Sequence, residues 1–576
     1  MSKRSAVAAA FLSLALVPAP SAGAADPTMP LSDVHQGMHC EGLSVVQGTT
    51  ISSFNVDVLD VIAGDSATGG PMILVQVSGP AVEPGGIGAG FSGSPVYCRD
   101  SHGVKRNAGA ISASIGDYGN KLALVTPIEE MLGESPTPPA SARSDPALRR
   151  AARPLAGPLT ETGLSARARR LLVRAGRRVG IAVLSVPAGP FAGYPTQTLR
   201  PGAAVTTAYS TGDVALGAVG TVTYRDGQNV WAFGHPLDDA GARSIFLQDA
   251  YVFGVVPNPI DSEDLGLGTY KLASSSGHTV GTLTNDGDFA VVGRLGSAPP
   301  SIGLEASASE RGTRRASFVD GRLADERGLG LGASASLTAP LALVQAVDGV
   351  LHSSEPVTLS VCVRFRVAER KRRLGYCNDY FSPDDAAFDL TDASGLVEGY
   401  DFSPLTLQDI TARAKLRRGV SEDVLLRATA PRRVRPGQRI RVRALVRRRG
   451  RGNDRRISFR MRVPRSLRPG RRAMVLSGTG LFSSLDLEEE LGTALVGLFG
   501  GGVSSPGLGG PEPHSVGALA KQVAGIHRGV GITARFRHRG RRRLVYENGR
   551  VAFSGSARVR LHVVRRRSHR APAPPK

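Results

Sequence analysis

Between Gly42 and Met131 the chain alternates short apolar or two-residue-period runs with glycine: Thr50–Val58, Met72–Val77 and Ala108–Ala113. A period of two marks a strand with one buried face, and strands this short and closely spaced form antiparallel sheet in a barrel or sandwich. Val125–Leu132 reads as a strand end running into a helical turn. Ser135–Pro154 is rich in Pro, Ala, Ser and Arg without an apolar period, which marks a linker. Ser165–Arg174 has the Ala, Leu and Arg content of a short basic helix. Strand patterns return at Val179–Leu184, Gly217–Tyr224 and Gly277–Leu283, in a second β region that runs to about Leu304. A third begins near Leu337. In it, Val357–Phe365 is apolar at odd positions and mostly polar at even ones, a half-buried strand of a sandwich-like accessory unit. In the last third Leu485–Leu498 predicts a helix with an acidic start, followed by a Gly/Ser loop over Gly500–Gly510.

Composition agrees with a mainly β chain of several units. There are 576 residues, 41% hydrophobic and only 5% aromatic, with 71 Gly and 38 Pro to supply turns. The formal charge of +22 is uneven: residues 401–576 hold 39 Lys and Arg against 11 Asp and Glu, leaving 32 against 38 in the first 400. A mildly acidic body with a basic C-terminal region is thus expected. The excess lies in Arg435–Arg449, Arg539–Arg543 and Arg565–Arg567, and basic residues alternate with apolar ones, as in Arg439-Ile440-Arg441-Val442-Arg443. That is the pattern of solvated strand faces. With few aromatics to stack on bases, no nucleic-acid partner is expected; an anionic envelope polymer or membrane surface is the functional alternative.

Lys3 and Arg4, an apolar run from Ala6 to about Pro18 and the small residues Ala22-Gly23-Ala24 form the three parts of a secretory signal peptide. The run is shorter than the roughly 20 residues a membrane span needs, and no transmembrane span is expected. The protein is expected to be secreted or in the cell envelope, starting near Ala25. Four cysteines in an exported chain favour disulfides. Of three pairings, Cys40–Cys98 with Cys362–Cys377 keeps each bridge inside one unit; buried free thiols are the alternative. No C-x-x-C pair suggests zinc, and no cofactor is expected.

Two segments carry chemistry. Gly85-Gly86-Ile87-Gly88-Ala89-Gly90-Phe91-Ser92-Gly93-Ser94-Pro95 places a serine on a glycine-framed turn before a strand, where the Gly90 and Ser92 amides can face a developing oxyanion. Val219–Tyr224 and Val230–Phe233 form a hairpin that delivers His235, between Gly234 and Pro236, in the position of a presented base.

Together these segments resemble the SpoIVB-type serine peptidases, whose G-M-S-G-S-P motif, preceded by glycines and followed by an I-G-A-V strand, is similar to Pro84–Ile87, Gly90–Pro95 and Ala108–Ile111 here. Phe91 stands in place of Met. Further similar segments are Val45–Thr49 with Phe54-Asn55-Val56, Thr126–Glu129, Val219–Tyr224 with Gly234-His235, Lys271-Leu272 and Val280–Asp286, so the resemblance covers roughly residues 35–132 and 200–305. It implies a trypsin-like double β-barrel peptidase with Ser92 as nucleophile, His235 as general base and the Gly90 and Ser92 amides as oxyanion hole. The substrate is then a protein or peptide. The expected units are a signal peptide (1–24), a serine-bearing half (25–132), a linker (133–156), a histidine-bearing half (157–305), a β accessory domain (306–425) and a basic C-terminal β region (426–576).

Three features depart from the family. Ser92 precedes His235, whereas the family's histidine comes first. The family aspartate upstream of the glycine-rich segment has no counterpart at Val77–Pro80, leaving Asp213, Asp239 and Asp286 as candidate orienting acids. Nothing reads as a PDZ module before the peptidase segments. His39 is a rival base in the usual order, and Ser94 a competing serine. Loss of turnover in a peptidase-like binding or scaffold protein is the alternative function.

Overall fold

The structure is a computed structural model that describes residues 25–63, 70–83, 85–115, 119–138, 158–186, 193–258, 268–352, 357–449, 452–478, 484–499, 512–526, 531–536, 543–548 and 551–564. The signal peptide, most of the linker, the Gly500–Gly510 loop and the Arg565–Arg567 tail expected from the sequence lie outside them.

The protein is mainly β. β1 (His39–Gln47), β2 (Thr50–Ile62), β3 (Met72–Ser78), β4 (Pro95–Arg99), β5 (Lys105–Ile115) and β6 (Leu122–Pro127) close into a barrel in the order β1-β2-β3-β6-β5-β4. Alternation puts Phe54, Val56 and Val58 of β2 and Ile73, Val75 and Val77 of β3 into its core. As the sequence predicts, β6 runs directly into a helical turn, α1 (Ile128–Gly133).

Next come β7 (Leu159–Thr162), α2 (Ala166–Val179) and β8 (Val183–Val186). Ser165 caps α2 by accepting from the Ala168 amide at 3.2 Å. The helix runs five residues past its predicted end: Val179, expected in a strand, is its last residue, and Gly180 ends it with φ of 76°. β9 (Ala204–Gly212), β10 (Ala215–Asp226), β11 (Asn229–Ala232), β12 (Gly241–Val256), β13 (Tyr270–Asp286) and β14 (Val291–Leu295) pair in the order β9-β12-β13-β14-β11-β10. Pairing of β9 with β10 closes these six strands into a second ring.

The second ring is part of a 13-stranded sheet that β15 (Ser301–Glu310), β16 (Ala316–Ala324), β17 (Val357–Val367), β18 (Leu374–Tyr380) and β19 (Leu407–Arg418) extend through the β9–β16 contact. β15 runs across the division expected at 305/306. The segment near Leu337, expected to open a β region, is a helix, α3 (Ser334–Leu351), and a second helix, α4 (Pro383–Glu398), packs beside it. Both are buried on nearly every side, so neither shows the one-sided apolar stripe by which a helix is read. α3 alone among the described helices is long and apolar enough to cross a membrane, and it is 83% buried inside the protein. The Glu398 carboxylate accepts from the Ala335 and Ser336 amides at 2.8 and 2.9 Å, closing the start of α3 with the end of α4.

From residue 422 the chain builds a four-stranded and a five-stranded sheet around one core of Val442, Val446, Met474, Leu476 and Phe553, a two-sheet sandwich. Two helices leave that sandwich. α5 (Ser484–Leu498) packs on α2, where Arg174 and Arg178 each meet the buried Glu488 at 3.3 Å, and α6 (Val516–Ala524) packs on β18. Cys40–Cys98 ties β1 to β4 and Cys362–Cys377 ties β17 to β18, the pairing that keeps each bridge within one unit. Such bridges fit an oxidising, extracytoplasmic compartment.

Candidate functional site

The two chemistry-bearing segments meet at the seam between the rings. Gly93 (φ 90°) has no room for a side chain, since a Cβ there would lie 1.9 Å from the Thr221 carbonyl oxygen and 2.4 Å from the Phe233 nitrogen. Phe233 and Gly234 both adopt left-handed φ, of 69° and 70°, a conformation that costs a phenylalanine energy and occurs chiefly where surroundings enforce it. Hydrogen bonds cross the seam around them: Thr221 N–H to Ser92 O (2.8 Å), Thr223 Oγ1 to Gly93 O (2.8 Å) and Thr126 Oγ1 to Gly234 O (2.6 Å).

Ser92 is half-buried on this turn. Among the described residues its hydroxyl makes no hydrogen bond, to His235 or otherwise, and neither the Gly90 nor the Ser92 amide has an acceptor. The neighbouring amides are occupied: Phe91 N–H donates to Gly88 O, Gly93 N–H to Ile111 O and Ser94 N–H to Phe91 O. Buried amides are nearly always paired, so the vacant donor on buried Gly90 stands out among the described residues. Ser94 is fully buried, and its hydroxyl donates to the Phe91 carbonyl at 2.6 Å. The two serines thus have different environments, with the first open and the second structural.

His235, expected on a turn as a presented base, is instead buried, and its Nδ1 lies 2.7 Å from the Pro236 carbonyl oxygen. A carbonyl only accepts, so Nδ1 carries the proton and the neutral ring keeps its lone pair on Nε2. Burial lowers the His235 pKa below its usual 6.5, and the bond to Pro236 opposes this more weakly. Among the described residues no carboxylate bonds His235. Asp286 instead accepts from the Leu237, Asp238 and Ala240 amides at 2.5, 2.8 and 3.2 Å and so shapes the turn after the histidine. Burial, with the adjacent Asp238 carboxylate, pushes Asp286 well above the usual range. Asp213 accepts from the Asp320 amide at 2.8 Å, on the β9–β16 side of the sheet. Asp239 adopts φ of 55° in the turn itself. His39 stands apart: its side chain is 88% exposed on β1, with Nδ1 2.6 Å from Asp57.

The sequence reading passed over a buried polar cluster beneath the serine turn. Lys271 Nζ donates to Ser44 Oγ at 2.7 Å and Thr221 Oγ1 at 3.1 Å and lies 4.6 Å from the centre of the Phe91 ring. Burial alone lowers its pKa from 10.5 to about 7. Thr221 passes its own proton to the Gly90 carbonyl at 2.9 Å, while Ser44 and Ser94 bond each other at 2.9 Å. The strand's single lysine, second in a run of otherwise uncharged residues up to Gly277, was the available signal. Its partners on β1 and β10 could not be read from the chain.

No family model, curated protein or solved structure matches the chain.

Proposed function

We propose that the chain is an exported serine endopeptidase of the SpoIVB type on a trypsin-like pair of β-barrels. Ser92 Oγ adds to the carbonyl carbon of a peptide bond as its proton passes to His235 Nε2. The oxyanion is met by the Gly90 and Ser92 amides. Collapse breaks the C–N bond, with the His235 proton leaving on the amine, and water repeats the sequence on the acyl-enzyme. The observation that carries this reading is the seam itself, where Gly93 of the serine turn abuts the backbone two residues before His235, beside two unoccupied amides. The Pro236 carbonyl supplies the tautomer control that an aspartate gives elsewhere, although without its negative charge. The reversed order of serine and histidine is no obstacle, because such a pair is defined by geometry. In unliganded sites the serine–histidine bond is often loose.

The missing carboxylate and the unbonded Ser92 hydroxyl favour one second reading, a peptidase-like binding or scaffold protein of the cell envelope without turnover. Labelling of mature protein with an alkyl fluorophosphonate separates the two. Labelling that disappears in Ser92→Ala supports the enzyme; no labelling of the wild type, or labelling that persists in Ser92→Ala, rejects it.

An anionic envelope polymer is the proposed second partner. A cavity of about 800 Å³ between the β17–β18 hairpin and α6 is lined by Arg364, Arg370, Arg372, Arg373 and Lys521, with no carboxylate in its lining. Arginine forks suit phosphate and carboxylate groups.

A further inference from the structure

Two peptide planes carry the vacant amides of the serine turn. In a trans peptide the C=O and N–H point in opposite directions, so whatever holds the carbonyl aims the amide. The plane bearing the Gly90 N–H has the Ala89 carbonyl, which accepts from the backbone N–H of Lys271 at 2.9 Å. The plane bearing the Ser92 N–H has the Phe91 carbonyl, which accepts from Ser94 Oγ at 2.6 Å and from the Ser94 N–H at 2.9 Å. Ser94 Oγ also donates towards Ser44 Oγ at 2.9 Å, so its single proton is shared between the Phe91 carbonyl and Ser44. Ser44 in turn accepts from Lys271 Nζ at 2.7 Å. The Ala89 carbonyl is therefore anchored on the Lys271 main chain, and the Phe91 carbonyl on the N–H and hydroxyl of Ser94, which Ser44 links to Lys271 Nζ. The Lys271 stem also lies against Gly90, where an added Cβ would sit 3.0 Å from the Lys271 Cβ. Among the described residues no carboxylate pairs with Nζ. The lysine is thus buried without an ion-pair partner, an arrangement that charge balance does not explain.

We infer that Lys271 is the positioning residue of the oxyanion site, holding the Gly90 and Ser92 amides in the orientation that receives the developing negative charge. The inference rests on the peptidase reading above and adds the residue on which its electrostatic step depends. Removing an oxyanion donor outright costs about 10²–10³ in rate. Loosening one plane misaligns a donor without deleting it, so a loss of roughly 10–100-fold is expected.

Saturation kinetics of alkyl fluorophosphonate labelling provide the test, because the probe's phosphoryl oxygen needs the same donors and the kinetics separate binding (KI) from bond formation (kinact). In Lys271→Met the backbone anchors of both carbonyls stay and the side-chain link from Nζ through Ser44 to Ser94 is lost. The expected result is a roughly 10–100-fold fall in kinact, with KI changed less than about threefold and cooperative unfolding retained. Ser94→Ala removes the hydroxyl at the far end of the same side-chain link, so the double variant should be no slower than the slower single one, whereas independent structural damage would add. Thr221→Val should cost far less, because the plane of the Gly90 carbonyl carries the Phe91 amide, which already donates to Gly88. If Lys271→Met does not fold, the cycle of Ser44→Ala with Ser94→Ala decides by the same criterion. Wild-type protein that labels while Lys271→Met keeps its kinact, or additive losses within the cycle, overturns the positioning role and leaves the peptidase standing. Wild-type protein that does not label overturns both.

Discussion

In the C-terminal sandwich the strand Arg439–Arg448 exposes Arg439, Arg441 and Arg443 and buries Ile440, Val442 and Ala444 in turn, as the strand Ser556–Val563 does with its own arginines. At the seam β9 and β10 are buried on both faces for most of their length, and the polar groups they bury are committed to one another: Thr221 to Gly90 and Lys271, Thr223 to Gly93. The sandwich thus keeps charge in water and apolar groups inside, at little electrostatic cost. The seam takes a lysine, a histidine and an aspartate out of water, a desolvation cost that is usual where ionisable groups are tuned for chemistry. The molecule's large net charge and its proposed chemistry therefore belong to different regions.

The sharpest way to break that comparison is to remove the seam's reacting groups. Ser92→Ala should abolish fluorophosphonate labelling, and His235→Ala should slow it by about 10²–10⁴, while His39→Ala stays within about twofold. A large effect at His39 and none at His235 would move the site out of the seam. Because burial lowers the His235 pKa, its neutral form persists below pH 6.5, so the acid limb of the labelling rate should have its midpoint below that value.

Next in size are the bridges. In the chain-entropy model Cys40–Cys98, closing 58 residues, contributes about 4 kcal/mol, and Cys362–Cys377, closing 15, about 3 kcal/mol. Paired Cys→Ser variants compared by denaturant unfolding should rank in that order, and equal losses would count against the model.

A smaller, pH-dependent effect comes from Lys271. Its folded pKa, about 7, lies below its unfolded value near 10.5, so between these limits the unfolded chain holds the extra proton and stability rises with pH. Below pH 7 the buried group is charged in both states and the full penalty, roughly 3–5 kcal/mol, applies. Lys271→Met should therefore be more stable than the wild type at pH 6, by an amount that shrinks towards pH 10. A difference independent of pH would show that the lysine does not titrate in this window.

The smallest effects belong to the sandwich. Arg441→Gln and Arg443→Gln should each change stability by less than about 0.5 kcal/mol. If the arginine-lined cavity holds an anionic polymer, Arg372→Glu with Arg373→Glu should weaken salt-sensitive retention on a polyphosphate matrix more than Arg441→Glu with Arg443→Glu, an equal change of charge. Equal weakening would reduce the attraction to net charge alone.

Much of this architecture was legible in the chain. Short alternating runs mark the strands of the first barrel, since one buried face leaves a period of two, and glycines announce the Ser92 turn because only they tolerate the backbone it needs at Gly90 and Gly93. Helices α3 and α4 were not legible: enclosed on all sides, they lost the periodicity that identifies a helix. Val179 was misread because an apolar residue at a helix C-terminus looks like one that opens a strand, and only the left-handed Gly180 decides between them.

By itself the sequence determined the mainly β class, the glycine frame around Ser92 and the separation of a basic C-terminal region from an acidic body. These follow from local preferences and from one-dimensional patterns of burial. Only the tertiary structure decided that Ser92 is open while Ser94 is spent, that Asp286 shapes a turn and makes no hydrogen bond to the histidine, and that Lys271 lies beneath the turn with Ser44 and Thr221. Those facts depend on pairing between strands far apart in the chain. The energies of desolvation and hydrogen bonding that govern them arise only once the two rings have closed against each other.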